Sequence, residues 1–114
     1  MKKMKAFVLI LAVPFLIAAC AHVRETDVGH YSKAEKYYAQ GKFGKAIEEY
    51  GAYLTKEPDG NMAIIAHYYI AKSHLELGHV AEAKAGFQNV IDQYPQSDWA
   101  QFAADRLKEL AKQK

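Results

Sequence analysis

Gln40–Asn61, QGKFGKAIEEYGAYLTKEPDGN, and Leu77–Asp98, LGHVAEAKAGFQNVIDQYPQSD, are two copies of one pattern. Gly41 matches Gly78, Ala46 matches Ala83, Tyr50 matches Phe87, Leu54 matches Ile91 and Pro58 matches Pro95, each pair 37 residues apart. A fixed period of this length marks a chain in which one supersecondary unit recurs and buries its apolar face on its neighbours. Within each copy the apolar residues fall at three and four spacing: Ala46, Ile47, Tyr50, Tyr53 and Leu54, then Val80, Ala83, Phe87, Val90 and Ile91. That spacing predicts a helix with one buried face. The proline disfavours helical geometry in the residue before it, so the helix stops there. Gly41 and Gly78 suit the left-handed residue that closes a preceding helix. Each unit therefore reads as two antiparallel helices, with repeats at about 29–60 and 61–96 and a fifth helix over 98–112. Asn61 and Ser97 stand where the next helices need a side-chain cap.

The spacing of a small residue, an aromatic four later and then a proline resembles the second helix of the tetratricopeptide repeat. Ala46, Tyr50 and Pro58 match it in the first copy, and Ala83, Phe87 and Pro95 in the second. The first-helix Trp-Leu-Gly signature of that family is replaced by His30, Lys33 and Ala34, and by His67, Ile70 and Ala71. Tyr37 fits the first-helix aromatic position, where the second copy has His74. The period of 37 exceeds the usual 34, placing an extra stretch near Pro58-Asp59-Gly60. The expected fold is all-α: a short tetratricopeptide-like solenoid of two helix-turn-helix repeats plus a C-terminal capping helix.

The resemblance implies a concave surface, lined by the first helix of each repeat, that holds a peptide or partner helix. Position by position, the groove residues are Tyr31, Glu35 and Tyr38, then Tyr68, Lys72 and Leu75, then Asp105 and Glu109 of the terminal helix. Tyr37, Tyr50 and Tyr53 are read as packing residues. The apolar stripe of the terminal helix, Trp99, Phe102, Ala103, Leu107 and Leu110, is expected to cover the second repeat. Its opposite face, Asp98, Gln101, Asp105, Lys108, Glu109 and Lys112, reads as a solvated cap. With so few repeats the domain is expected to fold with modest stability or as a homodimer.

At the other end of the chain, Met1-Lys2-Lys3-Met4-Lys5 carries three positive charges and Ala6–Ile17 carries none. The uncharged run is shorter than the roughly 20 residues a membrane-crossing helix needs. A charged segment, a short apolar segment and small residues before a cleavage site read as a secretory signal. Ile17-Ala18-Ala19-Cys20 resembles the lipobox of bacterial lipoproteins, which implies signal peptide 1–19, a lipid on Cys20 and a lipidated tether over 20–28. In those lipoproteins an aspartate after the cysteine favours inner-membrane retention. Ala21 stands there instead, so the resemblance implies the periplasmic face of the outer membrane.

Cys20 is the sole cysteine, which excludes an intrachain disulfide or a paired-cysteine redox site. Loss of the signal removes three lysines, so 15 basic side chains become 12 against 13 acidic ones, a net charge of −1. No basic excess remains to neutralise nucleic-acid phosphates. His67 and His74 lie seven apart near one helical face, and His30 and His67 share a repeat position, but no HExxH-type cluster is present. Glu48 and Glu49 are adjacent and diverge around the helix, and no serine sits in a nucleophile elbow. The expectation is a non-enzymatic protein with no catalytic residues, no metal and no cofactor besides the covalent lipid.

Lipobox and repeats together, with "YYIAKSHLELGHVAEAKAGFQNVIDQYPQSDWA", resemble the outer-membrane-assembly lipoproteins of the BamD type and the repeat domain of the Tol-Pal coordinator. The former carry about five repeats against two and a half here. The resemblance implies an envelope scaffold that binds an envelope protein or peptide in outer-membrane protein assembly. Its alternative is an accessory subunit for cell-wall coordination or for a secretion or pilus apparatus.

Overall fold

The computed structural model describes residues 28–113. Signal peptide, Cys20 and tether, as read above, lie outside the described residues save for Val28. Five helices follow one another: α1 Val28–Ala39, α2 Phe43–Lys56, α3 Ala63–Glu76, α4 Val80–Gln93 and α5 Asp98–Lys112. No strand is present among the described residues. Each helix packs chiefly on its sequence neighbours, with a minor α3–α5 contact, which is the arrangement of a helical repeat. The fold is all-α and tetratricopeptide-like, with two helical pairs and a terminal helix.

The two glycines act as their spacing predicts. Gly41 and Gly78 have φ of +74° and +78°. At the first, Lys42 N donates to Tyr37 O at 2.9 Å and Gly41 N to Tyr38 O at 3.0 Å. At the second, His79 N donates to His74 O at 2.8 Å and Gly78 N to Leu75 O at 3.0 Å. Both are Schellman closures, which a residue with a Cβ adopts at a cost.

Ser97 caps α5 as expected, accepting from Ala100 N at 3.1 Å. Asn61 does not cap α3, which begins one residue later, with Met62 at the cap position and no local side-chain bond. The Met62 amide donates instead to Tyr53 Oη at 3.3 Å, reaching back to α2. The extra residues around Pro58-Asp59-Gly60 make this possible. A Cβ on Gly60 would collide with Tyr53 Oη and sit 3.0 Å from Glu57 Cβ, so a side chain there would displace the Tyr53 hydroxyl.

The core has one cluster per repeat. Tyr31, Ala34, Ala46, Tyr50, Tyr53 and Ala66 form the first. Tyr68, Ala71, Ala83, Phe87, Val90, Ala103 and Leu110 form the second. The alanines let helices approach closely while the aromatics fill the space between them. The 37-residue period extends to the helix α3 turns toward the preceding pair. Ala63, Ala66, Ile70 and Ser73 of α3 recur as Ala100, Ala103, Leu107 and Leu110 of α5. Ala66 and Ile70 pack in the first cluster, and Ala103, Leu107 and Leu110 in the second. In α1 the positions matching Ile70 and Ser73 are Lys33 and Lys36, both exposed.

Candidate functional site

The first helices of the pairs, α1 and α3, together with α5, present a row of aromatic rings. Phe43 at the start of α2 lies 5.2 Å from Tyr38, edge to face, and Tyr38 lies 5.0 Å from Tyr69. Tyr69 lies 6.1 Å from Trp99, which lies 5.5 Å from Phe102 at an interplanar angle of 88°. Edge-to-face rings at these separations attract through their quadrupoles, which holds the row in place. Lys72 Nζ stands 5.7 Å over the Tyr38 ring and 5.6 Å over Tyr69, within cation–π range of both.

The row ends in a groove of about 390 Å³ lined by Tyr68, Tyr69, Lys72, Trp99, Phe102, Asp105, Arg106 and Glu109. Phe102 is 48% exposed, the most open large apolar residue among those described. At the polar wall, Arg106 Nε donates to Tyr68 Oη at 3.4 Å and Nη1 to Glu109 Oε2 at 3.0 Å. These two bonds raise the Arg106 pKa and fix its guanidinium. The groove thus offers apolar faces beside fixed charges of both signs, and suits a side chain with an apolar body and polar end.

Four residues named from the sequence, Tyr68, Lys72, Asp105 and Glu109, line this groove, and Tyr38 joins the adjoining row. Tyr31 is brought elsewhere. It is 6% exposed and packs edge-on against Tyr50 at 5.6 Å and Tyr53 at 5.5 Å, so its ring belongs to the first core. Burial, then the neighbouring Glu35 carboxylate, push its hydroxyl up to about 12. Glu35 is exposed beside it, and Leu75 is half-buried against the second core rather than open to a partner. Tyr68 is also only 5% exposed, so it lines the floor of the groove.

One helical line carried across the repeats does not include Tyr69, Trp99, Phe102, Arg106 or Phe43, which the structure adds to the row and groove. The apolar pattern of the sequence places Trp99 and Phe102 on the buried stripe of the terminal helix. In the structure the packing line of α5 is Ala100, Ala103, Leu107 and Leu110. Trp99 also packs on the second core, 5.1 Å from Tyr68, while lining the groove, and Phe102 is the ring that turns out, 48% exposed. The period held the signal, since Ala63, Ala66, Ile70 and Ser73 predict those four small and aliphatic residues as the packing line.

The histidines are dispersed. His30 Nδ1 lies 2.6 Å from Glu49 Oε2, half-buried between α1 and α2. His67 is half-buried with its ring 6.1 Å from Tyr94, and burial lowers its pKa. His74 pairs with His79 across the α3–α4 turn, Nδ1 to Nδ1 at 3.3 Å, and not with His67. Among the described residues no three or more potential ligands converge on one point. Nor, among them, is any helix long and apolar enough to cross a membrane.

The tetratricopeptide repeat family matches residues 66–97, from the first turn of α3 to the cap of α5. No curated protein matches the chain. Repeats of this type are typically non-enzymatic modules that bind protein partners, which suggests an interaction scaffold. Matched segment, repeat period and five-helix order agree: the chain carries a tetratricopeptide repeat within an all-α, tetratricopeptide-like helical repeat.

Proposed function

We propose that this protein is a membrane-anchored, non-enzymatic scaffold of the bacterial cell envelope, held by lipid on Cys20 at the periplasmic face of the outer membrane. Its groove grips a segment of an envelope protein during outer-membrane protein assembly. The observation that carries the binding reading is the aromatic row from Phe43 to Phe102 with Lys72 across it. A line of half-buried rings that ends on the exposed Phe102, flanked by charges, leaves apolar surface for a partner to cover. The anchor reading rests on Ile17-Ala18-Ala19-Cys20 behind a charged and then apolar leader. Confinement to one surface raises the effective concentration of a modest binder beside its partner.

Capture from cross-linked envelopes tests both parts. Trp99→Ala with Phe102→Ala should lose the partner, since removing two large rings from an interface costs on the order of 2 kcal/mol or more. Because Trp99 also packs on the second core, Phe102→Ala alone is the control: its ring is exposed, so that variant should keep its helical circular dichroism while capture weakens. Undiminished capture would remove the groove from the reading. Recovery of wall-synthesis or secretion components in place of barrel-assembly components would redirect the process to the alternative above. Cys20→Ser should block processing or release the protein from membranes, and a cleaved, membrane-bound Cys20→Ser form would refute the anchor.

A further inference from the structure

A second surface lies at the opposite end from Phe102. Lys33, Lys36, Tyr37, Gln40 and Lys42 line a shallow cavity of about 390 Å³ at the outer side of α1. Lys45 of α2 joins it, with Nζ 5.5 Å over the Tyr37 ring. All four lysines are exposed, and Lys33 keeps a partner besides. The repeat explains part of this: Lys33, Lys36 and Gln40 stand where α3 has Ile70, Ser73 and Leu77, so an end with no helix before it must be polar. Polarity alone does not require one sign of charge. The other end of the solenoid exposes Asp98, Gln101, Asp105, Lys108 and Lys112, a mixture. The basic end stands out further because the chain from Cys20 onward carries a net charge of −1.

Chain length places this end. Cys20 and Val28 are eight residues apart, so a fully extended connection spans at most about 28 Å. Cys20 is therefore held within about 28 Å of the start of α1, the helix that carries Lys33 and Lys36. We propose that Lys33, Lys36, Lys42 and Lys45 lie against the anionic phospholipid headgroups of the membrane in which Cys20 is anchored, so that the lysine face sets how the groove is presented. This rests on the lipid-anchor reading. Lysines near an anionic surface gain attraction that decays within a Debye length, and a basic patch beside an acyl chain acts as a second membrane signal. Tyr37 at the centre of the patch offers a ring edge suited to the headgroup level.

The test is amine acetylation of the full-chain protein, read lysine by lysine by mass spectrometry. It is run with excess phosphatidylcholine vesicles with or without phosphatidylglycerol, and the mass on Cys20 is measured in parallel. Lys33, Lys36, Lys42 and Lys45 should label about fivefold more slowly on the anionic vesicles, an effect removed by high salt, while Lys108 and Lys112 do not change. Lys36→Glu with Lys42→Glu should abolish protection at Lys33 and Lys45 without changing the melting temperature. Lipidated protein with equal labelling on both vesicles overturns the patch and leaves the anchor standing. Protection of protein without lipid on Cys20 keeps the patch and refutes the anchor, and unlipidated protein without protection refutes both.

Discussion

Gly86 lies in α4 where that helix crosses α3, and a Cβ built there would sit 2.7 Å from Ala71 Cβ and 3.3 Å from Ala71 Cα. Carbon atoms pack best at about 3.5–4.0 Å, so Gly86→Ala must part the helices by about 1 Å. The contact lies beside Phe87 and Ala71, both 0% exposed, where no flexible side chain can give way. Overpacking at such a point costs about 1–3 kcal/mol, set against about 1 kcal/mol gained from helix propensity. The expected net loss is about 1 kcal/mol, a fall in Tm of about 4–8 °C for a domain of this size. Gly51→Ala in α2 is the control, because a Cβ there meets nothing within 4 Å. It should gain most of the propensity term and raise Tm. In the double variant Gly86→Ala/Ala71→Gly the clash disappears, so urea unfolding should show a favourable coupling of about 1–2 kcal/mol between the two sites. If Gly86→Ala raises Tm as Gly51→Ala does, the close approach of α3 and α4 is not the reason for the glycine.

Three further outcomes follow from individual groups. Tyr53→Phe leaves the Met62 amide without its acceptor, and should cost about 1 kcal/mol in urea unfolding and speed hydrogen exchange at Met62. Ser73→Ala should leave stability unchanged or raise it by about 1 kcal/mol, since Ser73 Oγ is buried without a hydrogen-bond partner. A destabilised Ser73→Ala protein would show that the hydroxyl is bonded. His67 is held below its ordinary pKa of 6.5 by burial, so the unfolded chain binds its proton more tightly than the folded one. Its contribution to stability is therefore full above pH 6.5 and is lost as pH falls through the lowered folded value. Chemical unfolding at pH 7 and pH 5 should show that slope, and His67→Gln should flatten it.

The repeat was legible because its determinants are local. Gly41 and Gly78 close helices through their own φ, Ala46 and Ala83 sit at fixed offsets from Tyr50 and Phe87, and Ser97 caps with its own hydroxyl. Each of these can be read within a few residues. Asn61 failed because its competitor, Tyr53 Oη, comes from another helix. Tyr31 and Leu75 were read as surface because they occupy the groove line of the period, whereas side-chain volume decides burial: Tyr31 fills space between α1 and α2 that a smaller residue would leave empty.

The candidate groove shows the same division. Lys72, Asp105 and Glu109 could be placed on one side of the solenoid by counting residues. Phe102 could not, since an amphipathic pattern ranks large apolar residues as core, and only packing against α4 shows that Ala103, Leu107 and Leu110 take that line. By itself the sequence determined the helical pairs, their period and their closures, because these depend on backbone geometry and neighbouring residues. Tertiary structure decided which tyrosines are interior, which rings form the row, and that four lysines share one end. Those outcomes depend on how helices distant in sequence pack on one another, as where Gly86 lets α4 approach Ala71 of α3.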